Sequence, residues 1–195
     1  MLLNFIGFRN TKIKKQNSKI FLLLKKLLKE NNEIINSLKN DYKNSYDKKI
    51  IKKYKRINEI VLIGMGGSIM GSRAIYSFLK KNIKKIFYFK DTFEVNKFKL
   101  KKKSLNLIIS KSGNTLETIS NSNFLINRKV NNIFITQNKE SYLMNLAKKL
   151  KSEIIHHNNF IGGRYSVLSE VGMLPAELMG LKTDKFKRLN FLVKD

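Results

Sequence analysis

The chain has 195 residues, 40 Lys and Arg against 14 Asp and Glu, a formal net charge of +26, and no cysteine. This length suits one domain with an extension and can bury a sizeable core without covalent staples, while the missing thiols exclude disulfides and cysteine-ligated metals and fit a reducing compartment. The charge favours anionic partners in general, but the lysines are scattered among abundant Asn and Ile, as A- and T-rich codons would give, and no nucleic-acid-binding motif accompanies them, so no specific nucleic-acid partner is expected.

In chain order, Met1 to Asn10 has too short an apolar stretch for a signal peptide and no cleavage pattern. From Ser18 to Leu38, apolar residues fall at Ile20, Leu23, Leu24, Leu27, Leu28, Ile34, Ile35 and Leu38, largely at three- and four-residue spacing. That spacing predicts one helix face, with lysines on the other. Lys25 and Lys26 interrupt the apolar run, and no stretch approaches the ~20 apolar residues of a membrane helix, so a soluble, unanchored chain is expected. Asn40 to Lys49 is polar and reads as a loop. Residues 1–57 are thus expected to form an N-terminal helical arm with a packing or oligomer-contact role.

From Asn58 short apolar runs alternate with amphipathic segments. Glu59–Ile63, Ile86–Phe89, Leu105–Ile109 and Asn132–Thr136 read as strands, with Glu153–His156 a weaker fifth. Ser68–Lys81, Leu116–Asn127 and Ser141–Leu150 read as helices between them. Alternating strands and helices predict an α/β domain over residues 58–195, with a doubly wound, parallel five-stranded sheet covered on both faces. Ligands bind such sheets where loops leave the carboxyl ends of the strands.

Three of those loops carry chemistry. Gly64-Met65-Gly66-Gly67-Ser68 joins a strand to a helix, where glycines admit an anion to the backbone and the helix start offers N–H groups. It departs from the dinucleotide pattern, because Ile69 stands where the third glycine belongs and Gly71 comes two residues late; Asp91 has the place of a ribose-binding acid in that less favoured reading. Ser110-Lys111-Ser112-Gly113-Asn114-Thr115-Leu116-Glu117-Thr118 follows the most apolar strand. Its hydroxyls at Ser110, Ser112 and Thr115 suit phosphate oxygens, and it lacks the order of a P-loop. Asn114 and Glu117 have the spacing of a capping box, so Glu117 is expected to close the helix start. In Ile161-Gly162-Gly163-Arg164-Tyr165-Ser166, leading into Val167–Gly180, two glycines let Arg164 lie against an anion or a developing oxyanion. His156 and His157, with no third ligand near in sequence, read as strand-end residues rather than a metal or acid–base pair.

Taken in order, Gly64–Ser68, Ser110–Thr118 and Gly162–Ala176 (GGRYSVLSEVGMLPA) resemble the glucose-6-phosphate isomerase family, the last stretch being close to that family's signature. The resemblance runs from about residue 59 to about 180. It implies a flavodoxin-like sugar isomerase (SIS) domain, an enzyme of glycolysis and gluconeogenesis that interconverts glucose 6-phosphate and fructose 6-phosphate without metal or organic cofactor, a cytoplasmic location and, at full length, a homodimer. It further implies that Ser110, Ser112 and Thr115, with the Lys111 backbone, bind the 6-phosphate. Gly67 and Ser68 would line the sugar pocket, Gly163 would lend backbone beside it, and Arg164 would steady the enediolate. The family's glutamate base belongs to a second domain, and neither Glu170 nor Glu177 matches it; both are expected to be helix-surface or packing residues. The chain is therefore expected to be an incomplete isomerase, with a non-catalytic sugar-phosphate-binding SIS protein as the alternative.

Overall fold

The computed structural model describes residues 13–30, 32–93, 103–126 and 130–187. Three helices come first: α1 (Ile13–Lys29), α2 (Glu33–Leu38) and α3 (Lys48–Lys53). The single helical face read over Ser18–Leu38 is broken, because the Asn32 side chain accepts from Ile34 N–H at 2.8 Å and starts a new helix. Along α1, Ile20, Leu22 and Leu23 are exposed. The Asp47 carboxylate caps α3 through Lys49 N–H at 2.8 Å. Tyr54, 4% exposed, then enters the core beside Ile50, Ile51 and Ile57. Thus the last part of the segment read as an arm packs against the sheet.

The expected parallel sheet is present. Its strands are β1 (Glu59–Gly64), β2 (Ile86–Lys90), β3 (Ser104–Ile109), β4 (Asn131–Thr136) and β5 (Glu153–His156), in the order β2-β1-β3-β4-β5, with every pairing parallel. Every residue of β1 and β3 is buried, as a central parallel strand covered on both faces requires. Ile60 and Leu62 of β1 join Leu105, Leu107 and Ile109 of β3 in one core, while Val61, Ile63 and Ile108 join Phe134 in the other.

The first core is covered by α4 (Gly67–Phe78) and α7 (Glu170–Leu178), through Ile69, Ile75, Val171, Met173 and Leu174. The second is covered by α5 (Leu116–Leu125) and α6 (Tyr142–Lys149), through Ile119, Leu143 and Ala147. The expected helices end slightly earlier than read from sequence. Lys80–Asn82 forms a separate 3₁₀ turn, and Asn127 lies outside the described residues. The signature stretch divides into a 3₁₀ turn, Gly163–Leu168, and α7. Inside the sheet, Asn106 Nδ2 donates to Asn132 Oδ1 at 2.9 Å across the β3–β4 pair, where the two residues stand in register.

The strand order reverses between β1 and β3: the chain leaves β1 for the β2 edge and returns to the other side for β3. That switch point is where open α/β sheets present a crevice. Because Phe134 is fully buried, Phe134→Ala is expected to destabilise the chain by about 3–5 kcal/mol in urea unfolding. Leu22→Ala on exposed α1 should change stability by no more than about 0.5 kcal/mol.

Candidate functional site

Gly64 and Ile109 are register partners, so the loops after β1 and β3 leave the sheet side by side. Ser110, 2% exposed, still donates its backbone N–H to Ile135 O at 3.1 Å. The chain then folds back on itself: Gly113 N–H lies 3.2 Å from both the carbonyl oxygen and the Oγ of Ser110. Gly113 has φ +68°, and a Cβ there would meet Ser141 Oγ at 2.1 Å, so the turn requires glycine.

This turn gathers three hydroxyls. Ser110 Oγ and Thr115 Oγ1 are 2.9 Å apart, and Ser112 Oγ is 3.4 Å from Thr115 Oγ1. Thr115 is the N-cap of α5, yet its side chain makes no capping bond. The opening N–H groups of that ten-residue helix therefore accompany the hydroxyls, with the positive end of the helix dipole behind them. The capping box expected from sequence does not form. Asn114 Oδ1 instead accepts from Tyr142 N–H at 2.9 Å, at the start of α6, and Glu117 sits half-buried in the first turn of α5. Lys111 holds neighbouring segments together. Its carbonyl accepts from Gln137 N–H at 3.1 Å and Thr136 Oγ1 at 3.3 Å, and its Nζ donates to Asn159 O at 2.7 Å.

The loop after β1 passes straight into α4, whose N-cap, Gly66, has no side chain to cap it. Ser68 is nearly buried in the first turn. The third loop closes against this helix start. A Cβ on Gly67 would lie 2.3 Å from both the carbonyl carbon and oxygen of Gly163 and 2.7 Å from Arg164 N. Only bare backbone allows that approach. Ser166 Oγ donates to Gly163 O at 2.6 Å and tightens the 3₁₀ turn, leaving Arg164 exposed. The fold thus brings Gly67, Gly163 and Arg164 into one neighbourhood, and Ser110, Ser112 and Thr115 into another on the adjacent strand end. Arg73 engages Asp91 through two nitrogen–oxygen contacts of 2.9 Å, so the acid that a dinucleotide reading needs is already occupied.

Behind the third loop lies a group that sequence reasoning missed. His157 and Glu170 are both fully buried, with His157 Nδ1 3.6 Å from Glu170 Oε1. His156 is exposed at the end of β5, so only His157 enters this cluster. Glu170 is therefore not on the helix surface. Glu177, read the same way, accepts from Tyr46 OH at 3.1 Å and Thr183 Oγ1 at 2.9 Å. The available signal was a lone glutamate at the head of the apolar run VGMLPA. Among the described residues, no group of three or more His, Cys, Asp or Glu is disposed to hold a metal, and no helix is long and apolar enough to cross a membrane.

The five-stranded parallel sheet has counterparts among solved structures. A hypothetical protein from Thermus thermophilus shares it with a TM-score of 0.68 at 23% identity, over 90% of this chain and 46% of that one. Tagatose-6-phosphate ketose/aldose isomerase from Escherichia coli shares it with a TM-score of 0.53 at 15% identity, over 72% of this chain and 44% of that one. Residues 12–190 match the family model of phosphoglucose isomerase, and the chain belongs to that family. It is 37% identical to glucose-6-phosphate isomerase of Methanocaldococcus jannaschii over 157 residues, covering 72% of this chain and 38% of the relative. It is 33% identical to the same enzyme of Borrelia garinii subsp. bavariensis over 172 residues, covering 72% and 32%. The chain thus spans about a third of the length of these curated relatives.

Burial holds the His157 imidazole below its ordinary 6.5, despite the raising influence of its bond to Asn158 O and of the Glu170 charge; nearby Lys111 lowers it further. The unfolded chain therefore takes up this proton first as the solution is acidified. The resulting stability is fully present above 6.5 and is lost as pH falls through the lower, folded-state value. The melting temperature should fall on acidification below 6.5, and less steeply in His157→Gln, as scanning calorimetry at a series of pH values can show.

Proposed function

We propose that this chain binds hexose 6-phosphates and supplies the phosphate-holding and oxyanion-stabilising part of a glucose-6-phosphate isomerase. The observation that carries the reading is the convergence of three hydroxyls on the uncapped start of α5, at the switch point of the sheet. In this reading Ser110, Ser112 and Thr115, with the Lys111 backbone, hold the 6-phosphate. Gly67 and Ser68 line the sugar, and Gly163 lends backbone beside it. Isomerisation moves a proton between carbons 2 and 1 and builds negative charge on oxygen in the enediolate. Arg164, with no ion-pair partner among the described residues, supplies the compensating charge. The reading carries with it a cytoplasmic location, where hexose phosphates are metabolised, a homodimeric full-length enzyme and no specific nucleic-acid partner.

The binding half is tested with the double variant Ser110→Ala/Thr115→Ala. Each lost hydrogen bond to a charged group should cost about 1.5–3 kcal/mol. Calorimetry with glucose 6-phosphate should show that weakening with the fold intact; unchanged affinity would sink the assignment. Added salt should weaken binding only partly, since directed hydrogen bonds persist after the long-range field is screened.

The carboxylates considered from sequence are committed elsewhere or lie away from the proposed sugar end. Glu170 accepts from Asn158 N–H, Glu177 from Tyr46 and Thr183, and Glu117 belongs to the opening turn of α5 on the phosphate side. A positioned base contributes typically ~10²–10⁴-fold. The 195-residue chain by itself is therefore expected not to convert fructose 6-phosphate at an enzymatic rate in a coupled assay. Turnover that disappears in Glu117→Gln would instead show that a base lies within these residues. Binding without turnover is also what the alternative sugar-phosphate-binding role requires; activity gained on adding a separately made C-terminal domain of a relative decides for the isomerase.

A further inference from the structure

Glu170 opens α7 with no exposed surface. A carboxylate in such a place is costly unless its oxygens are met by donors. Oε1 alone is met: it accepts the backbone N–H of Asn158 at 2.8 Å, while Oε2 has no hydrogen-bond partner among the described residues, and His157 Nδ1, 3.6 Å from Oε1, donates to Asn158 O at 2.9 Å. The Asn158 side chain completes the clamp, with Oδ1 accepting from Phe160 N–H at 2.9 Å and Nδ2 donating to Glu33 Oε2 at 2.8 Å. Lys111 Nζ holds the next residue through Asn159 O at 2.7 Å.

All of these attachments fall just before Gly162, Gly163 and Arg164. That segment has to be fixed, because the Gly163 backbone lies directly against Gly67. The phosphate loop has separate supports. Gly113 N–H bonds Ser110, Leu143 N–H donates to Gly113 O at 3.0 Å, and Tyr142 N–H donates to Asn114. Apart from the Lys111–Asn159 contact that joins them, the two halves of the site rest on different supports, and the Glu170 bond to Asn158 N–H belongs to the second half alone.

We propose that Glu170 is a positioning residue: through the Asn158 N–H its buried carboxylate sets the 158–164 segment, and so places Gly163 and Arg164 at the sugar end of the pocket without acting on the phosphate loop. This rests on the hexose 6-phosphate reading above. Inorganic phosphate needs only the Ser110–Thr115 loop, whereas fructose 6-phosphate spans both halves. A defect in positioning is therefore read as a loss of the preference for the sugar phosphate, a quantity that general loosening of the fold would not single out.

The test is calorimetric titration of the 195-residue chain and of Glu170→Leu, Glu170→Gln and Glu33→Ala with inorganic phosphate and with fructose 6-phosphate. Wild type is expected to prefer fructose 6-phosphate. Glu170→Leu should lose about tenfold in that affinity, of the order of one hydrogen bond to a charged group, with phosphate affinity unchanged. Glu170→Gln keeps an oxygen for the Asn158 N–H and should retain most of the preference. If a folded Glu170→Leu keeps the preference, or loses both affinities together, the proposal is overturned. Should Glu170→Leu not fold, Glu33→Ala on the partly exposed α2 decides. A smaller loss confined to fructose 6-phosphate supports the proposal, and no change overturns it. A wild-type chain that binds phosphate without preferring the sugar overturns the positioning proposal alone. One that binds neither ligand overturns the reading beneath it.

Discussion

The pairing of β1 with β3, Gly64 opposite Ile109, is the constraint from which the candidate site follows. These strands are neighbours in space, yet β2 lies between them in sequence, so their following loops start together while their helices cover opposite faces of the sheet. Two helix starts without side-chain caps, at Gly67 and Leu116, are thereby brought to one edge. The third loop reaches the same edge because Gly67 lacks a side chain where its backbone meets that of Gly163. A Cβ on Gly67 would force these segments apart.

The loop from Ser110 to Thr115 is held by the protein's own contacts. Its hydroxyls bond one another, which keeps these polar groups paired. On the proposed reading, a phosphate would exchange these mutual contacts for charge-assisted ones, which are shorter and stronger. Most of the ordering entropy would then be met in folding rather than in binding, because Gly113 and Asn114 lock the turn through bonds to Ser110, Tyr142 and Leu143.

The sheet was readable in the sequence because parallel strands buried on both faces appear as unbroken apolar runs; β1 and β3 are such runs, and β2, at the edge, has Ile86 exposed. The loops were readable because glycine and hydroxyl density after a strand has few other uses. What escaped was the allocation of side chains. Lys111 reaches Asn159, 48 residues away, and Arg73 takes Asp91, 18 residues away; local spacing carries no trace of either. His157 and Glu170 were read separately, as a strand end and as a helix-surface or packing residue, although burial makes them one group. Helical periodicity along Ser18–Leu38 defined a face but not a partner for it, and α1 leaves Ile20, Leu22, Leu23 and Leu27 exposed.

The amide pair between Asn106 and Asn132 has a consequence for how the sheet assembles. Between Leu105–Ile109 and Ile133–Ile135 the two strands meet, Asn106 apart, through apolar residues, which could slide by two positions with their hydrophobic faces still inward. In such a shifted pairing the Asn106 amide would face Val130 or Phe134 and lose its partner, and the error would be expensive. The pair works as a key cut for one lock: it adds little net stability, but it separates the native alignment from near-copies of itself. Replacing both asparagines with leucine could leave the folded state as stable while admitting misaligned sheets, a flaw visible in refolding yield rather than in melting temperature.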